Sequence, residues 1–213
     1  MTEKDLIAFE KKIQTAWEAG ELPILLHLCG GNEEELVSGF QKVKPGDWIF
    51  STHRAHYHAL LAGIPPDEVE AKIRKGKSMF IYSKEHNFLC SAILAGCAGI
   101  AAGVAWQLKE EGSLNQVICF QSDGSEEEGH LYEAALFVEA NNLPCTFVIE
   151  DNGRQVDTPK RVRRGMYSKG LEDLFKCVVR YHYTPTYPHA GSGCNFQIQF
   201  NPKAVSDHTA RQR

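Results

Sequence analysis

The 213-residue sequence has little that points to secretion, a membrane or nucleic acid. Its first residues, MTEKDLIAFEKK, include acidic side chains and no apolar core of signal-peptide length, so secretion is not expected. The apolar stretch 91–106 is shorter than the roughly 20 residues that span a bilayer. With 23 basic and 27 acidic residues the formal net charge is -4, which leaves no overall basic surface. We therefore expect no nucleic-acid partner and no membrane partner.

The seven cysteines do not form a pattern typical of disulfides. Their number is odd, no two are spaced as C-x-x-C, and most stand inside apolar runs such as Val117-Ile118-Cys119-Phe120. This pattern indicates buried thiols in a reducing compartment, and it predicts a cytoplasmic protein.

Repeats, low-complexity segments and linkers rich in Pro, Gly or Ser are also missing from the sequence. A chain of this length can bury one core, so we expect a single α/β domain over 1–213. An N-terminal helical extension and a mobile C-terminal tail from Asn201 complete the predicted organisation.

Hydrophobic spacing and turn residues divide the chain into alternating elements. The predicted helices are 5–18, 32–40, 66–75, 91–106 (fully buried), 126–141 and 170–175. The predicted strands are 48–50, 117–120, 145–150, 177–181 and a last half-buried strand at 196–200. The order strand 117–120, helix 126–141, strand 145–150 is a βαβ unit, which predicts a doubly wound α/β fold with a parallel sheet flanked by helices.

Oxygen-bearing side chains follow two strands of this βαβ unit. Asp123 comes directly after the first strand, and Asp151-Asn152 ends the second. Ligands of open parallel sheets bind beyond the carboxyl ends of the strands, and carboxylate and amide oxygens suit magnesium and a diphosphate. The alternative is local: Ser125 and Glu128 have the spacing of a helix capping box, and Asp-Asn-Gly is an ordinary turn.

These residues belong to a longer pattern that resembles a known family. The stretches Ser122-Asp123-Gly124-Ser125, Glu128-Gly129, Glu133-Ala134, Asn142-Leu143-Pro144 and Glu150-Asp151-Asn152-Gly153 resemble the thiamine diphosphate motif of the α subunits of 2-oxo acid dehydrogenase E1 components. Asn152 follows Asp123 by 29 residues, as in that family. Upstream, His27-Leu28 with Gly31 and Glu34, and the stretch 52–56, are similar to two further family segments. The resemblance runs from about Leu28 to Asp157.

The resemblance implies a diphosphate-binding domain of the thiamine diphosphate-binding fold, and it implies roles for individual residues. The implied Mg ligands are the side chains of Asp123 and Asn152 and the carbonyl of Arg154. The implied cofactor contacts are His53, Arg54, the backbones of Phe88 and Cys90, and the backbones of Ser122, Gly124 and Ser125. The residues expected to transfer protons are His56 and His182. Since the diphosphate is an anion, Glu126 and Glu127 are expected to point outward.

The chain departs from the family pattern at several positions. His53 stands in place of a tyrosine, Ser122 in place of the first glycine of the cofactor motif, and Thr184 in place of a second histidine. The segment between Asn152 and Arg180 is also shorter than in typical α subunits.

The implied function is that of an α-type subunit of a thiamine diphosphate- and Mg-dependent 2-oxo acid dehydrogenase. Its implied partners are a β-type subunit that supplies the pyrimidine-binding domain in an α2β2 assembly, a small-molecule 2-oxo acid or ketose substrate, and a lipoyl-bearing acyltransferase. Three alternatives stay open: a split transketolase or carboligase subunit, a non-catalytic binding subunit, and a Mg-dependent phosphohydrolase, although Gln121 replaces the nucleophilic aspartate of that last class.

Overall fold

A computed structural model of the chain describes residues 1–22, 26–156, 158–164 and 170–189. The helices are α1 Glu3–Glu18, α2 Glu33–Phe40, α3 His56–Leu61, α4 Pro66–Arg74, α5 Ala98–Glu110, α6 Gly129–Ala140 and α7 Lys160–Arg164. Short 3-10 helices span Asp123–Glu127 and Leu171–Asp173. The strands are β1 Trp48–Ser51, β2 Tyr82–Ser83, β3 Phe88–Cys90, β4 Val117–Ser122, β5 Cys145–Asp151, β6 Arg154–Gln155, β7 Thr158–Pro159 and β8 Val178–His182.

Six of the strands form one sheet in the order β2-β3-β1-β4-β5-β8. Strands β3, β1, β4, β5 and β8 are parallel, and β2 pairs antiparallel with β3 at one edge. The chain runs from β1 to β3 on one side and then returns to β4 on the other side of β1. A topological switch point therefore lies between β1 and β4, where such sheets bind ligands. The predicted α/β class, with a parallel sheet flanked by helices, is confirmed.

The two faces of the sheet carry separate hydrophobic cores. Alternate residues of one strand belong to different cores: Phe120 packs with residues of α1 to α4, whereas Cys119 packs with residues of α5 and α6. Because successive side chains of a strand point to opposite faces, the continuous apolar run of β4 indicates a strand that is covered on both faces. Helices thus flank the sheet on both sides.

Helix α5 begins later than predicted, and the described residues cover only one of its faces. The predicted start was residue 91, but 91–97 form turns and the helix begins at Ala98. Ala95 has a φ of 53°, which a right-handed helix cannot contain. The expected full burial of this helix is also wrong: its alanines are buried, whereas Ile100 is 50% exposed and Trp106 40% exposed.

The capping box expected after β4 is not formed. Helix α6 begins at Gly129, and a 3-10 helix occupies the preceding residues. The Ser125 hydroxyl lies 3.1 Å from the Ser122 hydroxyl and accepts a hydrogen bond of 3.3 Å from the amide of Ala95. Ser125 therefore links the segment after β4 to the loop that follows β3, and it does not cap a helix.

The predicted strand 196–200 and the tail from Asn201 lie outside the described residues. Within the described residues, no helix combines the length and the apolar character that crossing a membrane requires.

Candidate functional site

A cavity of about 330 Å³ lies at the carboxyl ends of the parallel strands. Its wall is formed by His27, Thr52, His53, Arg54, Met79, Ala92, Leu94, Ser122, Glu150, Asn152, Arg154, Gln155, Val156, Tyr183 and His189. The segments that follow β1, β3, β4, β5 and β8 all contribute to this wall. The cavity therefore lies at the switch point, and its volume is within the range of small-molecule sites.

The structure brings five of the sequence-predicted residues to this cavity: His53, Arg54, Ser122, Asn152 and Arg154. They come from the ends of three strands, β1, β4 and β5, that are neighbours in the sheet. The guanidinium of Arg54 donates to the carbonyl of Leu28, which fixes the side chain beside the cavity.

Asp123 lies directly behind this wall and is fully buried. One carboxylate oxygen accepts a hydrogen bond of 2.7 Å from Arg163, whose side chain is only 6% exposed. Burial and the nearby Asp151 carboxylate raise the pKa of Asp123 to about 6, although Arg163 and Lys160 oppose the shift. A buried carboxylate of this kind requires a cation, and in this structure the cation is a guanidinium.

A second acidic group, Asp151, is surrounded by cations. Its carboxylate contacts Lys160 at 2.5 Å and Arg180 at 2.6 Å. Burial favours the neutral acid, but the hydrogen bond from Lys160 and the main-chain amide of Gly153 hold the pKa of Asp151 below its usual value. Arg180 also binds Glu126, whose side chain is 1% exposed. The expectation that Glu126 points outward is therefore wrong, because its charge is neutralised by Arg180; the side chain of Glu127 is 31% exposed and binds Arg163.

The residues after β4 and β5 fit a divalent metal ion and a diphosphate. Asp123 and Asn152 supply hard oxygen atoms, and the carbonyl of Arg154 is a third protein oxygen of the same kind. The Asn152 side chain is fixed by the amide of Arg154, which donates to its oxygen at 3.0 Å. A Cβ on Gly124 would lie 2.9 Å from Cγ of Gln155, so a larger residue here would require the Gln155 side chain to move.

The two histidines predicted to transfer protons, His56 and His182, do not line this cavity, and their role stays a prediction. His56 begins α3 and is fully buried; its ring contacts the Glu10 carboxylate at 2.9 Å and the Ser78 hydroxyl at 2.8 Å. His182 ends β8, and its side chain is 74% exposed beside Asp151. The next residue, Tyr183, reaches the cavity instead, because successive side chains of a strand alternate in direction.

The cofactor contacts expected of the backbones of Phe88 and Cys90 also stay a prediction. Both residues lie in β3, where Phe88 pairs with Ile49 and the amide of Cys90 donates to the carbonyl of Ile81. Their backbones are used by the sheet, and neither residue lines the cavity. The residues that do so, Ala92 and Leu94, follow the end of the strand.

Sequence reasoning missed Glu150 and His189. Glu150 is 6% exposed and accepts hydrogen bonds from Asn32, at 3.1 Å, and from the hydroxyl of Tyr181; His58 lies 3.3 Å away. The signal for Glu150 was its place immediately before Asp151-Asn152 at a strand end. His189 carries no comparable signal, because its position depends on the path of the chain after β8.

Comparison with known proteins agrees with this geometry. The sequence profile of the family described as "Dehydrogenase E1 component" matches residues 1–173. The α subunit of acetoin:2,6-dichlorophenolindophenol oxidoreductase from Bacillus subtilis is 32% identical over 165 residues, which are 73% of this chain and 50% of that protein. The α subunit of the pyruvate dehydrogenase E1 component from Porphyra purpurea is 32% identical over 161 residues, 68% of this chain and 47% of that protein. The chain spans about half the length of the curated relatives it matches, and it belongs to the dehydrogenase E1 component family.

Proposed function

We propose that this chain is the α-type subunit of a thiamine diphosphate- and Mg-dependent enzyme that decarboxylates a 2-oxo acid oxidatively and passes the acyl fragment to an acceptor. One observation carries the proposal: Asp123 and Asn152 follow two adjacent parallel strands, beside a cavity that Arg54 lines. Membership of the dehydrogenase E1 component family supports it.

The residues of this chain would bind and orient the cofactor. The side chains of Asp123 and Asn152 and the carbonyl of Arg154 would hold Mg, and Arg163 would have to release Asp123 for this. Arg54 and His53 would contact the diphosphate, together with the main chain of 122–125. When bound, thiamine diphosphate supplies the carbanion that attacks the carbonyl carbon of the substrate.

The proposal includes a β-type partner that supplies the pyrimidine-binding domain, in an α2β2 assembly. Exposed apolar side chains on two adjacent helices support a partner on this chain. They are Ile100, Trp106, Tyr132, Leu136 and Phe137, which we call the α5–α6 surface. Large exposed apolar patches mark interaction sites.

A lipoyl-bearing acyltransferase is the acceptor that this family resemblance favours. A cytoplasmic location is also proposed, because the six cysteines in the described part of the chain are all free thiols.

A ketol or ketose substrate is the second candidate. The names of two relatives, from Bacillus subtilis and Cupriavidus necator, are those of acetoin oxidoreductase subunits, and acetoin is a ketol. A carboligase or split transketolase subunit would use the same cofactor site, so the two candidates differ in substrate and not in the residues that bind the diphosphate.

Cofactor binding by the complex with the β-type subunit tests the assignment of the site. Asp123→Ala and Asp123→Asn should abolish the Mg-dependent binding of thiamine diphosphate, and Arg54→Ala should weaken it by about tenfold or more, because a charge-assisted contact is lost. The control is Asp173→Ala, which changes an exposed carboxylate. Titration calorimetry measures the affinities. Unchanged affinity for thiamine diphosphate in the folded Asp123 variants would contradict the assignment of Asp123 as a Mg ligand.

Turnover distinguishes the substrate classes and tests the need for a partner. The single chain should show no oxidation of pyruvate or acetoin with 2,6-dichlorophenolindophenol as electron acceptor, and activity should arise when the β-type subunit is added. Activity on pyruvate alone favours the dehydrogenase, and activity on acetoin alone favours the ketol candidate. Turnover by the single chain would contradict the partner proposal.

A further inference from the structure

Three histidines meet at one side of the cavity. His27 precedes Leu28 near the start of the chain, His53 follows β1, and His189 follows β8. A ring nitrogen from each lies within 4.8 Å of one from each of the others. The ring centres are 4.8 Å apart for His27 and His53, 4.4 Å for His27 and His189, and 5.8 Å for His53 and His189.

These separations are close to those of a metal site. Zn²⁺–nitrogen bonds of about 2.1 Å in a tetrahedral arrangement place the ring centres of two ligating imidazoles about 5 Å apart. The three observed separations lie on both sides of that value, so the three rings are near enough to one another to share one ion.

The burial of the cluster leaves one of its ring nitrogens available to a ligand. Within the described part of the chain Nδ1 of His27 is buried without a hydrogen-bond partner, and such an atom costs free energy unless a ligand satisfies it.

We propose that His27, His53 and His189 bind one divalent transition-metal ion, of the class of Zn²⁺ or Co²⁺, whose fourth position faces the cavity. The site is separate in chemistry from the oxygen donors of Asp123 and Asn152, because neutral imidazoles prefer borderline metals and carboxylates prefer Mg²⁺. The guanidinium of Arg54 opposes a cation here, and the carboxylate of Glu150 lies on the same cavity wall.

An ion in this position would give the cavity a group that binds oxygen. Three protein ligands leave one coordination position for a water molecule or for a carbonyl or carboxylate oxygen of a small molecule. The ligand class that fits is thus a small oxo acid or hydroxy ketone that enters from the cavity. This inference does not depend on a partner subunit. Because His53 is also proposed to contact the diphosphate, a transition-metal ion and thiamine diphosphate would compete for its side chain.

Cobalt binding to the full single chain tests the site. The chain, freed of any histidine tag and of metal by a chelator, is titrated with Co²⁺ and then with Zn²⁺ in the absence of Mg²⁺ and thiamine diphosphate. One Co²⁺ per chain should bind and give the intense visible absorption of a four-coordinate ion, and Zn²⁺ should displace it. Imidazole ligands are lost in His53→Ala and His189→Ala, so each variant should bind at least about tenfold more weakly.

Two matched variants separate this site from others on the chain. His86→Ala changes a histidine that contacts Ser83 outside the cavity, and Asp123→Asn changes the proposed Mg ligand; both should bind Co²⁺ as the unchanged chain does. His53 and His189 are chosen because they are half-buried, and circular dichroism verifies that their variants fold. A weak six-coordinate spectrum, or equal affinity in all four variants, would overturn the proposal. Loss of Co²⁺ binding in Asp123→Asn alone would also overturn it.

Discussion

At the scale of single residues, Asp123 and Arg163 show why the sequence predicted the position of the buried carboxylate but not its partner. The position of Asp123 after a strand, with Asn152 29 residues later, predicted the carboxylate and its neighbour. Arg163 lies 40 residues beyond Asp123 in a segment without a motif, and only the path of the chain brings it to the carboxylate. Patterns of spacing identify groups on the ends of adjacent strands, whereas contacts between distant segments depend on tertiary packing.

Replacement of Arg163 should therefore lower stability and raise metal affinity. Arg163→Ala leaves a buried carboxylate without its guanidinium, so the free energy of unfolding without metal should fall by about 2 to 4 kcal/mol. The same change removes the cation that competes for Asp123, so Mg-dependent binding of thiamine diphosphate by the complex should become tighter. Urea denaturation and calorimetry measure the two effects. Arg161→Ala, on an exposed residue of the same helix, is the control, and equal stability of the two variants would contradict the prediction.

His53 should make the metal-free chain sensitive to mild acid. Its pKa is about 3 in the folded chain and near 6.5 when unfolded, so between these values only the unfolded state takes up the proton. The stabilisation is complete above pH 6.5 and is lost as the pH falls toward 3. Between pH 7.5 and pH 5 the free energy of unfolding should fall by about 1 kcal/mol more in the unchanged chain than in His53→Gln.

Urea denaturation at the two pH values measures this difference. Asp123 acts in the opposite direction, because its pKa of about 6 is raised and its contribution falls as the pH rises through that range. The comparison of two chains that share Asp123 removes its contribution. His86→Gln is the control and should behave as the unchanged chain; the same acid sensitivity in His53→Gln would show that the prediction is wrong.

At the scale of elements, strands were more predictable than helix starts. Three strands predicted from apolar runs, at 48–50, 117–120 and 145–150, begin at the predicted residue and end within two residues of the predicted end. A strand covered on both faces needs a continuous apolar run, which is visible in the sequence. The late start of α5 was not visible, because the alanine-rich stretch favours a helix, whereas Ala95 has a positive φ.

The connection after β5 shows the same limit. Asp151-Asn152-Gly153 was read as a turn or as a metal site, and it leads into the short hairpin of β6 and β7, whose residues Arg154 and Gln155 form part of the cavity wall. Short strands of two residues have no hydrophobic period, so sequence patterns do not reveal them. The residues that complete the site therefore come from elements that spacing alone does not identify.

At the scale of the whole molecule, the α5–α6 surface is an apolar area that the described residues leave exposed. Trp106 and Phe137 stack with ring centres 5.5 Å apart, and each is about two-fifths exposed. A Cβ built on Gly99 or Gly103 would meet nothing within 4 Å, so packing within the described residues does not explain these two glycines of α5. Small residues on an exposed helix face permit the close approach of another backbone. This property of α5 is consistent with a contact to a partner subunit.

Charge placed on this surface should weaken assembly and leave the fold intact. Trp106→Glu removes an apolar ring and puts a carboxylate into a proposed apolar contact, so the affinity for the β-type subunit should fall by at least about tenfold, since aromatic residues are frequent hot spots. Because Trp106 is partly exposed, the free energy of unfolding should change by less than about 1 kcal/mol. Leu114→Glu is the matched control, since Leu114 is 96% exposed in the loop after α5. Sedimentation velocity on mixtures of the two chains measures the affinity; equal assembly by both variants would place the partner on another surface, whereas loss in Trp106→Glu alone would place it on α5 and α6.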